Sequence, residues 1–217
     1  DINEACEATP TAPTATDNCV GQVTATTTTT FPITAQGLTV ITWTYDDGNG
    51  NTATQTQNVN LADADAPVPD ITTLADVTAQ CEVNSLTAPT ATDNCVGAVS
   101  GTHDATFPIT TQGTTVVTWT YADGNGNTST QQQNVVIEDT TDPTITAPGA
   151  VTEDSDPGVC GTALANVTLG TPVTDDNCGV AGVTNDAPSV FPVGTTTVTW
   201  TVTDDNGLTA TATQQVT

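Results

Sequence analysis

Carboxylate and amide side chains recur in two short motifs of this 217-residue chain. Thr-Asp-Asn-Cys occurs at 16–19 and 92–95, and Asp-Gly-Asn-Gly occurs at 47–50 and 123–126. Related strings, Asp-Asp-Asn-Cys and Asp-Asp-Asn-Gly, stand at 175–178 and 204–207. Oxygen atoms of Asp, Asn and backbone carbonyls at glycine-rich turns are the hard donors that Ca²⁺ prefers. These motifs therefore predict binding sites for a divalent cation.

The charge of the chain points to the same class of partner. It contains 25 acidic side chains, one histidine and no lysine or arginine, so its formal net charge is −25. Nucleic-acid recognition and anionic membrane surfaces both rely on Lys and Arg, so both are disfavoured. No apolar run reaches the ~20 residues of a membrane helix, and no membrane insertion is expected. Cations from solution are the natural partners of the carboxylates.

The motifs belong to a longer internal repeat. Ala-Pro-Thr-Ala-Thr-Asp-Asn-Cys-Val-Gly at 12–21 returns at 88–97, and Thr-Phe-Pro-Ile-Thr-Ala-Gln-Gly at 30–37 returns with one change at 106–113. A divergent third copy carries Phe-Pro-Val-Gly-Thr-Thr-Thr-Val-Thr-Trp-Thr at 191–201. We therefore predict a tandem array of three domains. Repeat 1 covers 1–66, repeat 2 covers 67–143 and repeat 3 covers 144–217.

Each copy places its acidic turn directly after an alternating strand. Apolar side chains recur at every second position, as a half-buried strand requires. Asp-Gly-Asn-Gly between two such strands predicts a hairpin, because Gly and Asn accept the positive φ of tight turns. Short strands separated by turns predict an all-β fold of tandem immunoglobulin-like antiparallel β-sandwich domains. The inward strand residues are Ile41, Trp43 and Tyr45; Val117, Trp119 and Tyr121; and Val198, Trp200 and Val202.

Six cysteines are distributed two per copy. A domain of this size buries little core and usually needs a cross-link, so pairing within each copy is expected and would contribute ~3 kcal/mol for loops near 15 residues. Free buried thiols and a metal site are the alternatives, but the spacing fits no zinc pattern. Six cysteines also indicate an oxidising compartment outside the cytoplasm. The expected pairs are Cys6 with Cys19, Cys81 with Cys95, and Cys160 with Cys178.

The ends of the chain differ from the repeat pattern. Repeat 1 has no counterpart of the segment 67–75, and repeat 3 stops within its expected final strand. A window cut from a longer periodic chain would give this pattern. The sharper expectation is a strand supplied by a neighbouring subunit, which adds an edge strand to an incomplete sheet.

These motifs together resemble a known family. The strings Ala-Thr-Asp-Asn-Cys and Phe-Pro-x-Gly-x-Thr-x-Val-Thr-Trp-Thr, followed by a strand that ends in an acidic linker with proline, resemble the hyalin repeat, abbreviated HYR. The resemblance covers nearly the whole chain in three copies. It implies an immunoglobulin-like extracellular module associated with cell adhesion, in a tandem array as in long bacterial cell-surface adhesins. The Asp-Asp-Asn-Gly-Leu string of repeat 3 departs from the pattern.

The linkers suggest where a cation would bind. The loops that hold the two acidic motifs should lie at the end where the chain enters each sandwich, and the acidic linker from the preceding copy arrives there. We hypothesise calcium sites at both junctions, and the alternative is that Asp and Asn serve only as turn formers and for solubility. The proposed ligands are Asp63, Asp65, Asp93 and Asp123 at the first junction, and Asp139, Asp142, Asp175, Asp176, Asp204 and Asp205 at the second.

An enzyme is not expected. His103 is the sole histidine, and no nucleophile-elbow motif is present. The sequence favours a structural stalk segment of an extracellular or cell-surface adhesin or fibre, with neighbouring repeats as its partners and calcium at the junctions. The alternatives are a module that binds extracellular polysaccharide and a filament subunit that exchanges strands. The first alternative would favour exposed aromatic residues, whereas the three tryptophans occupy the inward strand position.

Overall fold

The structure, a computed structural model, describes residues 1–217 and consists of strands and one 3₁₀ turn, so the all-β prediction is confirmed. Repeat 1 contains β1 (Ile2–Glu4), β2 (Thr14–Asp17), β3 (Gly21–Thr24), β4 (Gly37–Asp46) and β5 (Thr52–Leu61). Repeat 2 contains β6 (Val68–Pro69), β7 (Val77–Ala79), β8 (Thr90–Asp93), β9 (Gly97–Ser100), β10 (Thr102–His103), β11 (Gly113–Ala122) and β12 (Thr128–Ile137). Repeat 3 contains β13 (Thr144–Thr146), β14 (Gly161–Ala163), the 3₁₀ turn Leu164–Asn166, β15 (Val173–Asp175), β16 (Val180–Asn185), β17 (Val190–Pro192), β18 (Thr196–Asp204) and β19 (Thr209–Val216). No helix is long and apolar enough to cross a membrane.

The chain divides into two compact units, each of which contains one linker between consecutive repeats. The first unit comprises Asp1–Ala75, Leu86–Ala105 and Val117–Gln133. The second comprises Asp76–Ser85, Thr106–Val116 and Asn134–Thr217. The domain boundaries drawn from the repeat pattern stay predictions.

In the first unit, β4 and β5 form the central hairpin of repeat 1. Their antiparallel register runs from Gly37↔Leu61 to Asp46↔Thr52. On its other edge β5 pairs in parallel with β1, an arrangement that the sequence did not indicate. The short pair β2–β3 forms a separate antiparallel sheet. The core residues of this repeat are Ala8, Ala25, Ile33, Ile41, Trp43, Val59 and Leu61.

In the second unit, β18 and β19 form the matching hairpin of repeat 3. Its register runs from Thr196↔Val216 to Thr203↔Thr209, and β16 pairs with the other edge of β18. Two short antiparallel pairs, β13–β15 and β14–β17, complete the repeat. The apolar cluster here consists of Val167, Phe191, Val198, Trp200 and Val216.

A tryptophan–glutamine pair bridges each hairpin. The indole Nε1 of Trp43 donates to Gln57 Oε1 at 2.8 Å, and Trp119 and Trp200 make the same bond to Gln133 and Gln214 at 3.0 Å. A buried indole N–H without a partner would cost about 1–3 kcal/mol of folding free energy. Each glutamine removes this penalty by accepting the hydrogen bond of the inward tryptophan. The inward placement of all three tryptophans is confirmed, since each is at most 7% exposed.

The hairpin turn has the conformation that its sequence predicts. Gly48 and Gly50 adopt φ of 76° and 100°, a region that costs residues with a Cβ conformational energy. Asp47 accepts hydrogen bonds from the backbone N–H groups of Asn49 and Asn51 at 2.8 and 3.0 Å. Asp47 of this turn and Asp17 of the Thr-Asp-Asn-Cys loop line the same pocket, so the two acidic motifs lie at the same end of the repeat.

Candidate functional site

The disulfides connect consecutive repeats, so the prediction of pairing within each copy is wrong. Cys6 of repeat 1 is bonded to Cys95 of repeat 2, with a Cα–Cα distance of 4.8 Å. Cys81 of repeat 2 is bonded to Cys178 of repeat 3, with a Cα–Cα distance of 5.1 Å. Cys19 and Cys160 are free, exposed thiols.

Strand topology explains this pairing. Cys6 follows β1, whose last residue pairs with Leu61 at the end of β5 that is remote from the hairpin turn. Cys19 follows β2 at the opposite end, beside that turn. A ten-residue strand spans roughly 33 Å, whereas a disulfide requires Cα atoms within ~7 Å. Within one repeat the two cysteines therefore cannot meet, but the first cysteine of one repeat reaches the second cysteine of the next.

A glutamine fixes each linker beside its disulfide. Gln36 accepts a hydrogen bond from the backbone N–H of Asp63 at 2.8 Å and donates to the carbonyl of Ala5 at 2.9 Å. Gln112 makes the same two contacts, with Asp139 N–H at 3.1 Å and the carbonyl of Gln80 at 3.2 Å. The linker aspartate and the residue before the cysteine are thus held together by one side chain.

At the first junction, Asp63 of the linker meets Asp93 of the Thr-Asp-Asn-Cys loop. One carboxylate oxygen of each residue and Cys95 Sγ lie within 4.8 Å of one another. Asp93 is only 4% exposed, and its Oδ1 accepts from the backbone N–H groups of Cys95 and Val96 at 2.8 and 3.0 Å. Its Oδ2 is buried without a hydrogen-bond partner. Since Cys95 is in a disulfide, oxygen atoms are the ligands available there.

The second junction repeats this geometry. Asp139, Asp176 and Cys178 form the corresponding group within 4.8 Å. Oδ2 of Asp176 accepts from Cys178 N–H at 2.7 Å and Gly179 N–H at 2.9 Å, which leaves Oδ1 buried and unpartnered. Asp204, at 1% exposure, also has a buried Oδ2 with no partner.

These three oxygens are an electrostatic cost to the fold. A buried carboxylate without compensation is strongly unfavourable, and this chain has no Lys or Arg to pair with it. A divalent cation would supply the missing charge. Carboxylate and carbonyl oxygens next to a loop are the donor set that Ca²⁺ accepts, so the residues present fit a calcium ion.

Asp123 differs from Asp93 because its own turn engages both of its oxygens. Oδ1 accepts from the backbone N–H groups of Asn125, Gly126 and Asn127, and Oδ2 accepts from Asn127 Nδ2 at 2.7 Å. Burial acts to raise the pKa of Asp123, but the hydrogen bonds from Asn127, Asn125 and Gly126 outweigh it, and the pKa lies below its ordinary value. This aspartate anchors the hairpin turn.

The other proposed ligands lie outside the two groups. Oδ2 of Asp65 accepts from Asn94 Nδ2 at 3.1 Å. The backbone N–H of Asp205 donates to the carbonyl of Gly179 at 3.2 Å. Asp142 and Asp175 are exposed, and Asp175 lies within β15. The structure thus brings together Asp63 with Asp93 and Asp139 with Asp176.

Asparagine amides contribute contacts that sequence reasoning missed. Asn125 Nδ2 donates to Asp63 Oδ2 at 3.0 Å, and Asn206 Nδ2 donates to Asp139 Oδ2 at 2.8 Å. Both asparagines belong to the acidic hairpin motif. Their recurrence at the same position of this motif was a sequence signal that could have identified them. A hydrogen bond from Thr141 N–H, together with that from Asn206, holds the pKa of Asp139 below its ordinary value.

We expect the acid sensitivity of the chain to depend on Asp123. A carboxyl whose folded pKa is depressed contributes stability above its unfolded pKa, near 3.9, and loses it as pH falls through the folded value. Asp123→Asn should therefore lower the melting temperature at pH 7, and the difference from the parent chain should shrink between pH 4 and pH 2. Thermal unfolding at several pH values measures this, with the exposed Asp142→Asn as control. A difference independent of pH would contradict the assigned role.

Comparison with known families gives a direct match at the C-terminal end. Residues 138–217 match the family model of the HYR domain. The matched segment begins in the acidic linker, so it includes Asp139, Asp176 and Asp204. The expected resemblance to this family is thereby confirmed for repeat 3.

Two curated relatives extend the similarity beyond the matched HYR domain. The chain is 39% identical to hyalin of Lytechinus variegatus over 154 residues, which covers 63% of this chain and 28% of that protein. It is 35% identical to hyalin of Strongylocentrotus purpuratus over 220 residues, which covers 91% of this chain and 18% of that protein. The chain thus spans less than a third of the length of either relative.

Solved structures with distant similarity are cadherin ectodomains. The human desmocollin-1 ectodomain aligns at 11% identity with a TM-score of 0.30, over 94% of this chain and 49% of that one. Mouse cadherin-23 EC22–24 aligns at 12% identity with a TM-score of 0.29, over 90% and 78%. At TM-scores below 0.5, these likenesses carry no functional information. Disulfides form and persist in an oxidising environment, and the predicted extracellular location of the chain is confirmed.

Proposed function

We propose that this chain is a structural stalk segment of a long extracellular adhesion-type protein, built from tandem HYR-type repeats and stiffened by calcium at the junctions between them. One observation carries the proposal: at both junctions a buried, unpartnered carboxylate oxygen belongs to an aspartate that faces a linker aspartate, directly beside a disulfide between repeats. No catalytic role is proposed.

The junction contacts support a mechanical role. The disulfide, the glutamine contact and the asparagine–aspartate hydrogen bond each join the linker or the preceding repeat to the loops of the next repeat. Such contacts remove the freedom of a hinge, but they leave like charges close together at Asp63 and Asp93. A bound Ca²⁺ would attract both carboxylates and so link the linker to the loop of the next repeat. Extracellular modules bind Ca²⁺ at about 0.1–1 mM, near the concentration of their surroundings.

The similarity to hyalin supports an adhesion-type array rather than an isolated domain. Two relatives of this chain bear that name, and each is several times longer than the matched segment. Membership of a bacterial surface adhesin stays a prediction, since these relatives come from Lytechinus variegatus and Strongylocentrotus purpuratus. Neighbouring repeats are the partners proposed for this segment, and a polysaccharide ligand is not.

Calcium titration of the full chain tests the proposal. We expect calorimetry to detect binding with a dissociation constant below about 1 mM, and weaker binding of Mg²⁺, which demands near-ideal octahedral geometry. Hydrogen–deuterium exchange of the linker amides at 62–66 and 138–142 should slow in 2 mM CaCl₂ relative to EDTA. Unchanged exchange in both linkers would overturn calcium stiffening and leave the disulfides, the glutamine contacts and the asparagine–aspartate hydrogen bonds as the constraints on the junctions.

A further inference from the structure

Each of the three acidic hairpin turns contains an Asn-Gly dipeptide. The dipeptides are Asn49-Gly50, Asn125-Gly126 and Asn206-Gly207, and all three asparagines are exposed. An asparagine followed by glycine is prone to deamidation, because glycine has no side chain to hinder attack by its backbone nitrogen on the asparagine amide. The turns therefore carry a chemical reactivity that the proposed stalk does not use.

The reaction is an intramolecular substitution followed by hydrolysis. The backbone nitrogen of the glycine forms a bond to Cγ of the asparagine, the bond between Cγ and Nδ2 breaks, and the proton of the glycine N–H leaves with Nδ2 as ammonia. Water then opens the cyclic imide to give aspartate or isoaspartate. The net change replaces a neutral amide, which donates hydrogen bonds, by a carboxylate, which only accepts them.

At both junctions this amide is a group that contacts the linker. Asn125 Nδ2 donates to Asp63 Oδ2 at 3.0 Å, and Asn206 Nδ2 donates to Asp139 Oδ2 at 2.8 Å. Deamidation at either site would put a carboxylate in place of the donor, beside the carboxylate of the linker. The chain has no Lys or Arg to offset the added charge. The attraction between hairpin turn and linker would thus become a repulsion.

The folded turns also restrain the reaction. The glycine nitrogen must lose its proton during the attack, and at both junctions this N–H group is hydrogen-bonded. Gly126 N–H donates to Asp123 Oδ1 at 3.1 Å, whereas Gly207 N–H donates to the carbonyl of Asp204 at 3.4 Å. The second bond is longer and has a neutral acceptor, so it is the weaker one. We therefore expect Asn206 to be the more reactive of the two junction asparagines.

We propose that Asn125 and Asn206 are modification sites at which deamidation converts the linker contact from a hydrogen bond into a charge repulsion and so makes the junction dependent on a bound cation. The repulsion follows from the contacting residues alone, whereas the dependence on a cation rests on the proposed function. The unmodified turn holds its linker without an ion. The modified turn holds it only when a cation lies between the carboxylates.

Peptide mapping of the full chain by mass spectrometry, after incubation in mildly alkaline buffer with EDTA, measures the reaction. Asn49 is the internal reference, because it occupies the same position of its turn and its amide contacts no linker aspartate. We expect Asn206 and Asn125 to react about tenfold more slowly than Asn49, the factor for a hydrogen bond to a charged group. In urea all three should react at similar rates. Equal rates in the folded chain, or no reaction at either junction, would overturn the proposal.

The Asn206→Asp variant carries the aspartate product in homogeneous form. Hydrogen–deuterium exchange of the linker amides at 138–142 in EDTA should be roughly tenfold faster than in the parent chain, since a hydrogen bond to a charged group is lost. Asn206→Ala removes that bond without adding charge and should give a smaller increase. Asn49→Asp adds the same charge in repeat 1 and should leave this linker unchanged. Parent-like exchange in Asn206→Asp would overturn the proposal.

Calcium distinguishes this proposal from the proposed function. In 2 mM CaCl₂ the linker of Asn206→Asp should exchange as slowly as that of the parent chain, because the new carboxylate is an oxygen ligand beside Asp139. The linker of Asn206→Ala should recover less. If calcium slows exchange in the parent chain but not in Asn206→Asp, the cation dependence of the modified junction is wrong. If it slows neither, the proposed calcium stiffening fails as well.

Discussion

Replacing Asp176 by Asn should raise the stability of the chain in EDTA and lower it in millimolar calcium. Without the ion, Oδ1 of Asp176 is buried, unpartnered and close to the carboxylate of Asp139. Asn keeps an oxygen for the N–H groups of Cys178 and Gly179 and removes the charge. The gain in EDTA should be ~1–2 kcal/mol, the range for relieving a poorly compensated buried polar group.

With calcium the sign reverses because the variant loses a charged ligand. A site with a dissociation constant near 0.1 mM stabilises the folded state by about 2 kcal/mol in 2 mM calcium. Most of that stabilisation should be absent in Asp176→Asn. Thermal unfolding of both chains, with and without calcium, measures the crossover.

Asp175→Asn is the matched control for this reversal. Asp175 is the neighbouring residue, carries the same charge and is exposed in β15, outside the group around Asp176. Its variant should respond to calcium as the parent chain does. If both variants keep the full calcium response, the second junction holds no calcium ion, and the acidic loops serve only as turns.

Removing the disulfide between Cys81 and Cys178 should cost the chain ~3–5 kcal/mol. The cross-linked residues are 97 positions apart. In the chain-entropy model, closing a loop of about 100 residues lowers the entropy of the unfolded state and raises its free energy by ~4.7 kcal/mol. The variant with Cys81→Ser and Cys178→Ser should therefore unfold at a markedly lower denaturant concentration. Cys160→Ser, which changes only a free exposed thiol, is the control and should leave stability within ~0.5 kcal/mol.

Thiol labelling decides the pairing before any variant is made. Alkylation of the unreduced chain should modify Cys19 and Cys160 and no other cysteine. Since the chain has no Lys or Arg, an Asp- or Glu-specific protease must release the fragments for mass spectrometry. Fragments that join Cys81 to Cys95 would restore pairing within one repeat and refute the disulfide clamp between repeats.

Local patterns in the sequence determined the strands and the turns. The period-two alternation placed Ile41, Trp43 and their counterparts inward, because successive side chains of a strand point to opposite faces. The Asp-Gly-Asn-Gly strings specified the hairpins through the positive φ of their glycines. The strand β6 shows the limit of such signals. Its sequence, Val68-Pro69, is too short and proline-rich to identify without its partner β8.

Only the tertiary structure decided the cysteine partners and the state of each carboxylate. Spacing along the chain favoured Cys6 with Cys19, but β1 and β2 end at opposite ends of the sandwich, so Cys6 meets Cys95 of the next repeat. Asp93 and Asp123 are alike in sequence context, since both are followed by an asparagine or glycine turn. Three backbone N–H groups and an amide satisfy Asp123, whereas one oxygen of Asp93 is left buried without a partner. The physical reason is that hydrogen bonds within a turn depend on local residues. The burial of a carboxylate depends instead on which distant segment of the chain covers that carboxylate.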